Sequence, residues 1–160
     1  MLPHALTQRL IVAAVLVASG IAGASWATDT SDADTPKVAF ERFIAAFNAL
    51  DWDSFRACFA DDASVFNPDI PEVMSLHRLD GRNSIERTFR AVFDASAEST
   101  GSPRIVPENL RIQQFNDTAV VTFEFRRSSA SFGRRTLVLH HQGRAWLVVH
   151  IHASNANTHP

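Results

Sequence analysis

No tyrosine occurs in this chain of 160 residues, and cysteine occurs once, at Cys58. Lys37 is the single lysine. Each scarcity closes a class of function. Without tyrosine, no phenol is available to donate a hydrogen bond or a proton at any site. A lone cysteine cannot form an intrachain disulfide, so an oxidising compartment would not staple this fold. Flanked by Phe55 and Phe59, Cys58 reads as a buried helix position; as a nucleophile it would need a partner base and access. The basic residues are nearly all arginines, scattered apart from Arg126-Arg127 and Arg134-Arg135, and the net charge is −2. That leaves no electrostatic footprint for nucleic acid, which is not expected as a partner.

A long hydrophobic run is also missing. Leu10 to Ala18 is apolar but is followed by Ser19, Gly20 and Gly23, short of the roughly 20 apolar residues a membrane span requires. Arg9 and His4 precede the run, and Ser25-Trp26-Ala27 offers small side chains at the positions a signal peptidase reads. Residues 1–27 are therefore expected to be a cleaved signal peptide. Residues 28–35 would form a flexible mature N-terminus, and the mature protein would be periplasmic or secreted with no stable span. The alternative is a retained N-terminal membrane anchor. A lipid anchor is excluded, because no cysteine lies near the cleavage site.

The remainder, residues 36–155, has the size of one domain. Thr35 and Pro36 cap a helix in which Phe40, Phe43, Ile44 and Phe47 recur at helical spacing. Asp51 caps a second helix, with Trp52, Phe55, Cys58 and Phe59 on its buried side, ended by Asp61-Asp62. Ser64 to Phe66 reads as a short strand stopped by Asn67-Pro68, and Asp69 to Asp80 as an irregular loop over an opening. Gly81 precedes a third helix with Ile85, Phe89, Val92 and Phe93 on one stripe. Four segments of period two follow, Ile105–Phe115, Thr118–Arg127, Phe132–His141 and Ala145–Ser154, each a strand. Helices first and an antiparallel meander after give an α+β fold.

The alternation also assigns faces. Val121, Phe123 and Phe125 point inward, and Leu137 and Leu139 join them. In the last strand Leu147, Val149, Ile151 and Ala153 are expected inward, with Trp146, Val148, His150 and His152 outward. This register needs a three-residue loop, Gln142-Gly143-Arg144; a two-residue loop would put the leucines opposite the histidine face.

The run Phe59-Ala60-Asp61-Asp62-Ala63-Ser64-Val65-Phe66-Asn67-Pro68 resembles the helix-to-strand junction of the SnoaL-like and ketosteroid-isomerase-like families. Gly81-Arg82, Thr118 to Val121 and Trp146 to Ser154 are further landmarks in the same order. The last is also similar to the association domain of calcium/calmodulin-dependent protein kinase II. The resemblance, to the SnoaL-like or nuclear transport factor 2-like superfamily, covers nearly the whole mature chain. It implies three helices on a strongly curved, mainly antiparallel sheet that encloses a conical pocket, and a homodimer through the outer sheet face. It does not imply one activity, because the fold hosts isomerases, cyclases, dehydratases, hydrolases and catalytically silent modules.

Ketosteroid-isomerase chemistry needs a carboxylate base and an oxyanion hole containing a tyrosine. The resemblance places these at Asn67 and Phe43. An amide cannot take a proton near neutral pH, so isomerase activity of that type is rejected. The expected pocket lining is Phe43, Phe47, Phe66, Asn67, Phe89, Phe123, Phe125, Arg135, Leu137, Val149 and Ile151. Its ligand would be a small, largely hydrophobic molecule with one polar head near Asn67 or Arg135. Asn67 otherwise ends a strand, and Arg135 and Arg82 are otherwise rim residues. Asp69, Glu72 and His77 could supply acid–base groups from the loop, in which case the protein is an enzyme of unknown reaction. His150 and His152 lie on one face roughly 7 Å apart, but a zinc site wants three or four ligands. No metal and no cofactor is expected, and the pair reads as part of a dimer face with Trp146 and Val148. A filled cone would instead make the domain a non-catalytic dimerisation module.

Overall fold

A computed structural model of the chain describes residues 34–66, 78–98 and 104–157. Residues 1–27, expected from sequence to be a signal peptide, and the loop residues Asn67, Asp69, Glu72 and His77 lie outside the described residues. The elements run α1 (Pro36–Asn48), α2 (Trp52–Arg56), β1 (Phe59–Phe66), β2 (Leu79–Asp80), α3 (Arg82–Glu98), β3 (Glu108–Phe115), β4 (Thr118–Ser128), β5 (Ser131–Gln142) and β6 (Ala145–Asn157). The strands form one curved sheet of six in the order β2-β1-β6-β5-β4-β3, antiparallel except where β1 lies parallel to β6. The expected α+β class and its order of helices before meander are as found.

Local chemistry sets the helix ends. The Thr35 side chain accepts a hydrogen bond from the Val38 amide at 3.2 Å, with Pro36 in the first turn, so α1 starts there. Leu50, at φ 53°, turns the chain out of it. Asp51 then caps α2 by accepting from the Ser54 amide at 3.1 Å. Contrary to the helical spacing of Phe55, Cys58 and Phe59, α2 stops at Arg56 and Phe59 opens β1. The reason is tertiary: the Cys58 carbonyl accepts from the Val148 amide at 2.8 Å, and Phe59 stands beside Val148 in the parallel ladder. Cys58 is buried as expected, its thiol against the Ser54 carbonyl at 3.2 Å. Burial pushes its pKa up, partly offset by Arg42, so the thiol form prevails. Leu79 and Asp80, read from sequence as loop, pair with Val65 and Ser64.

The core is a cluster of phenyl rings between helices and sheet. Phe55 sits at its centre, 5.2 Å from Phe43, 5.2 Å from Phe59, 5.2 Å from Phe89 and 4.9 Å from Phe93. Phe40 carries the contact across to the sheet, edge-on to Phe123 at 5.2 Å. None of these rings has a hydroxyl to satisfy, so each can be wholly enclosed.

The last hairpin departs from the expected register. Gln142 pairs with Ala145, so the turn is the two residues Gly143-Arg144, with Gly143 at φ 65°. His141 then faces Trp146 and Leu139 faces Val148, which carries Trp146 and Val148 inward; they are 5% and 1% exposed. The assignment of these two residues to the outer face, and of Leu147 to the inner, is therefore corrected. Between Leu139 and Val138 the register slips by one: Val138 faces His150 and Leu137 faces Ile151. Val149 is the extra residue of a β-bulge, half-buried and opposite nothing on β5, rather than a regular inward position. Beyond it Ile151 and Ala153 point inward and His150 and His152 outward, as the alternation predicts. The parity change assigned to the loop is made by the bulge.

Gly133, inward on β5, faces Phe125 on β4. A Cβ there would overlap two atoms of the Phe125 ring. Gly133→Ala is expected to cost about 1–3 kcal/mol in chemical denaturation through overpacking. Combining it with Phe125→Leu should cost less than the two single changes added together; strict additivity would refute the steric account.

Candidate functional site

The inner face of the sheet leads from the ring cluster towards the β4–β5 turn. Phe123 and Phe125 are 6.4 Å apart along β4, and the Arg135 guanidinium lies 4.9 Å over the Phe125 ring. Leu137 and Ile151, neighbours in the β5–β6 ladder, lie beside them and are buried. Arg135 faces Phe123 on one side and Ala153 on the other, which fixes its inward direction. Its Nη1 donates to the Arg134 carbonyl at 2.9 Å and to the Ser154 carbonyl at 3.0 Å. A half-buried guanidinium over a phenyl ring, at the end of an apolar face, places a positive charge above a greasy wall. That arrangement suits a carboxylate on an apolar body.

The sequence-derived lining divides into parts. Phe123, Phe125, Arg135, Leu137 and Ile151 are brought together on this face. Phe43, Phe47 and Phe89 belong to the ring cluster, with Phe47 edge-on to Phe93 at 5.7 Å. Phe66 does not belong. It lies on the opposite face from buried Val65, is 43% exposed, and packs on the imidazoles of His150 and His152, each 5.9 Å away. Strand alternation decides this, because Val65 takes the core position and its neighbour must point out. Val149 sits at the bulge, and Asn67 lies outside the described residues. Arg82, at the start of α3, donates to the Phe59 carbonyl and stands 3.2 Å from Asp61, tying α3 to β1.

On the outer face His150 Nδ1 is 2.9 Å from Ser64 Oγ. Desolvation holds the His150 pKa below its ordinary value, and the charges of His152 and Arg78 push it the same way. The imidazole is thus neutral at pH 7. Among the described residues no group of three or more metal-ligating side chains occurs.

A second polar constellation left no sign in the sequence. His141 Nε2 and Asp34 Oδ2 are 2.7 Å apart, joining residues separated by 107 positions. Trp146 packs against the imidazole at 5.3 Å. They border a shallow cleft of about 380 Å³ with Gln114, Asn116 and Asp117 at the end of the sheet away from Arg135. Asp34, assigned from sequence to the flexible mature N-terminus, is held by this latch beside Thr35, the expected helix cap. No local pattern could have shown the pairing, because it depends on where α1 meets the β5–β6 hairpin.

A family model described as a SnoaL-like domain matches residues 37–158. Among curated proteins none matches. Solved structures with the same fold include a nuclear transport factor 2-like protein of unknown function from Pseudomonas putida, 21% identical, covering 74% of this chain and 82% of its own, with a TM-score of 0.62. A candidate calcium/calmodulin-dependent protein kinase type II association domain from Thiobacillus denitrificans is 23% identical, covering 77% and 96%, at 0.61. A candidate ketosteroid isomerase from Shewanella frigidimarina is 19% identical, covering 72% and 91%, at 0.57. Matched along its folded length in both sequence pattern and strand order, the chain belongs to the SnoaL-like domain family.

Proposed function

We propose that this protein is an exported SnoaL-like domain that binds a small, largely hydrophobic acid against the inner face of its sheet. In this reading it does not perform ketosteroid-isomerase chemistry. The observation that carries it is the Phe123–Phe125–Arg135 row, apolar surface ending in one half-buried guanidinium. The missing tyrosine supports the absence of that isomerisation. Export rests on the layout of residues 1–27. An enzyme of another reaction would need acid–base groups from the 67–77 loop.

The same reading makes the outer face a contact between two copies. Leu147, Val138 and Val120 lie there half-buried, continuous with Phe66, His150 and His152. The likeness to an association domain supports self-assembly.

Two outcomes are expected. Incubated with a pool of fatty acids and sterols, the purified protein should retain acids, read by native mass spectrometry. Arg135→Gln should weaken retention about tenfold or more, since a hydrogen bond to a charged group contributes about 1.5–3 kcal/mol. Equal retention of neutral sterols by both proteins would refute the clamp. Light scattering between pH 5 and 8 tests the face. A histidine whose folded pKa is depressed contributes stability that is present above its unfolded value of 6.5 and is lost as pH falls through the folded value. Burying His150 and His152 in the contact takes them further from water and favours the neutral form still more, so association should be weaker at pH 5 than at pH 8, and His150→Gln should flatten the difference. A monomer throughout, or an unchanged profile in the variant, counts against this face.

A further inference from the structure

The free edge of β3 carries a self-complementary pattern. Among the described residues β3 is the last strand of the sheet and pairs only with β4. Its direction of hydrogen bonding follows from the neighbouring ladder. The Asp117 carbonyl accepts from the His141 amide at 2.7 Å, so at this end of β4 odd-numbered residues bond β5. Even-numbered residues therefore bond β3: Thr118 with Phe115, Val120 with Gln113 and Thr122 with Arg111. The amides and carbonyls of Ile112 and Gln114 are left pointing away from the sheet.

Edges are normally guarded by bulges, prolines or charges. Here the bulge between Glu108 and Arg111, with Asn109 at φ 52°, protects the first half of β3 only. From Arg111 to Phe115 the strand is regular and contains no proline. Phe115 ends it and is 59% exposed.

We propose that β3 pairs antiparallel with β3 of a second copy about a two-fold axis at Gln113, extending the sheet across the contact. Around that axis Ile112 faces the partner's Gln114 and Gln114 faces the partner's Ile112, which joins the outward amides and carbonyls in roughly four hydrogen bonds. Arg111 then faces the partner's Phe115, twice over. Both side chains lie on the outer face, since a two-fold normal to the sheet keeps outer faces together. Each otherwise exposed ring gains a guanidinium, a pairing of opposite character that a shift of register would break. A shift that centres the axis on Arg111 sets two like charges opposite each other. This contact is separate from the one on the outer face and does not depend on it.

The register is testable by oxidation of variants that each add one cysteine to the intact chain. Two residues facing each other without mutual hydrogen bonds have Cα atoms about 4.5 Å apart, within disulfide reach. Gln113→Cys should form a covalent dimer. Arg111→Cys and Phe115→Cys should not dimerise alone but should crosslink to each other when mixed. Wild type, with buried Cys58, is the control and should stay uncrosslinked. Adding Gln114→Pro to Gln113→Cys removes an outward amide without touching the β4 ladder, and should abolish the crosslink. Failure of Gln113→Cys to crosslink would overturn the proposal, whether the edge is empty or covered by the chain's own N-terminal residues. So would crosslinking of Arg111→Cys alone. A His152→Cys variant reads the outer-face contact independently, so the two can fail separately.

Discussion

The fold depends on one unpaired residue in the last strand. β6 carries two inward sets, Trp146 with Val148 and Ile151 with Ala153, and they differ in parity. A regular strand leaving a two-residue turn could bury one set and would expose the other. The bulge at Val149 lets both reach the core. Its cost is an interrupted ladder, on the order of one hydrogen bond, about 1 kcal/mol. Burying a large apolar side chain contributes about 1.5–3 kcal/mol, so the exchange favours the irregular strand. The outward direction of His150 and His152, and with it the character of the outer face, is set by the same event.

The second organising choice is the use of phenylalanine throughout the ring cluster, in a chain without tyrosine. Rings without hydroxyls pack on one another in the Phe43–Phe55–Phe59–Phe89–Phe93 cluster with no polar atom to accommodate. Polar character is displaced to the two ends of the sheet. At one end Arg135 lies over Phe125; at the other His141 holds Asp34. The inner face is therefore dry in the middle and charged at its limits, and that distribution supports an apolar acid over a polar ligand.

Much of the fold was legible because it is written in local period. Helix stripes, strand alternation and the cap at Thr35 each depend on residues a few positions apart. What could not be read depends on distant partners. Phe59 has helical spacing with Phe55 and still belongs to a strand, because Val148 waits for it. Trp146 alternates with His150 by sequence and not in space, because nothing in the run Trp146 to Ala153 marks where the extra residue falls. Hydrophobicity alone groups Phe66 with the other rings, although its neighbour Val65 holds the core position. Of the site, the Phe123–Phe125–Arg135 row followed from alternation, while the His141–Asp34 pair had no local trace.

The parallel contact between β1 and β6 also governs when the fold can form. Ser64 meets His150 across 86 positions, and apart from the two residues of β2 this is the ladder that holds β1 in the sheet. Closing so large a loop is slow and can occur only once the final strand is available. A nascent chain emerging from the ribosome thus has its first strand waiting for its last. Until that strand arrives the first strand has only the two residues of β2 to pair with, and the sheet cannot close.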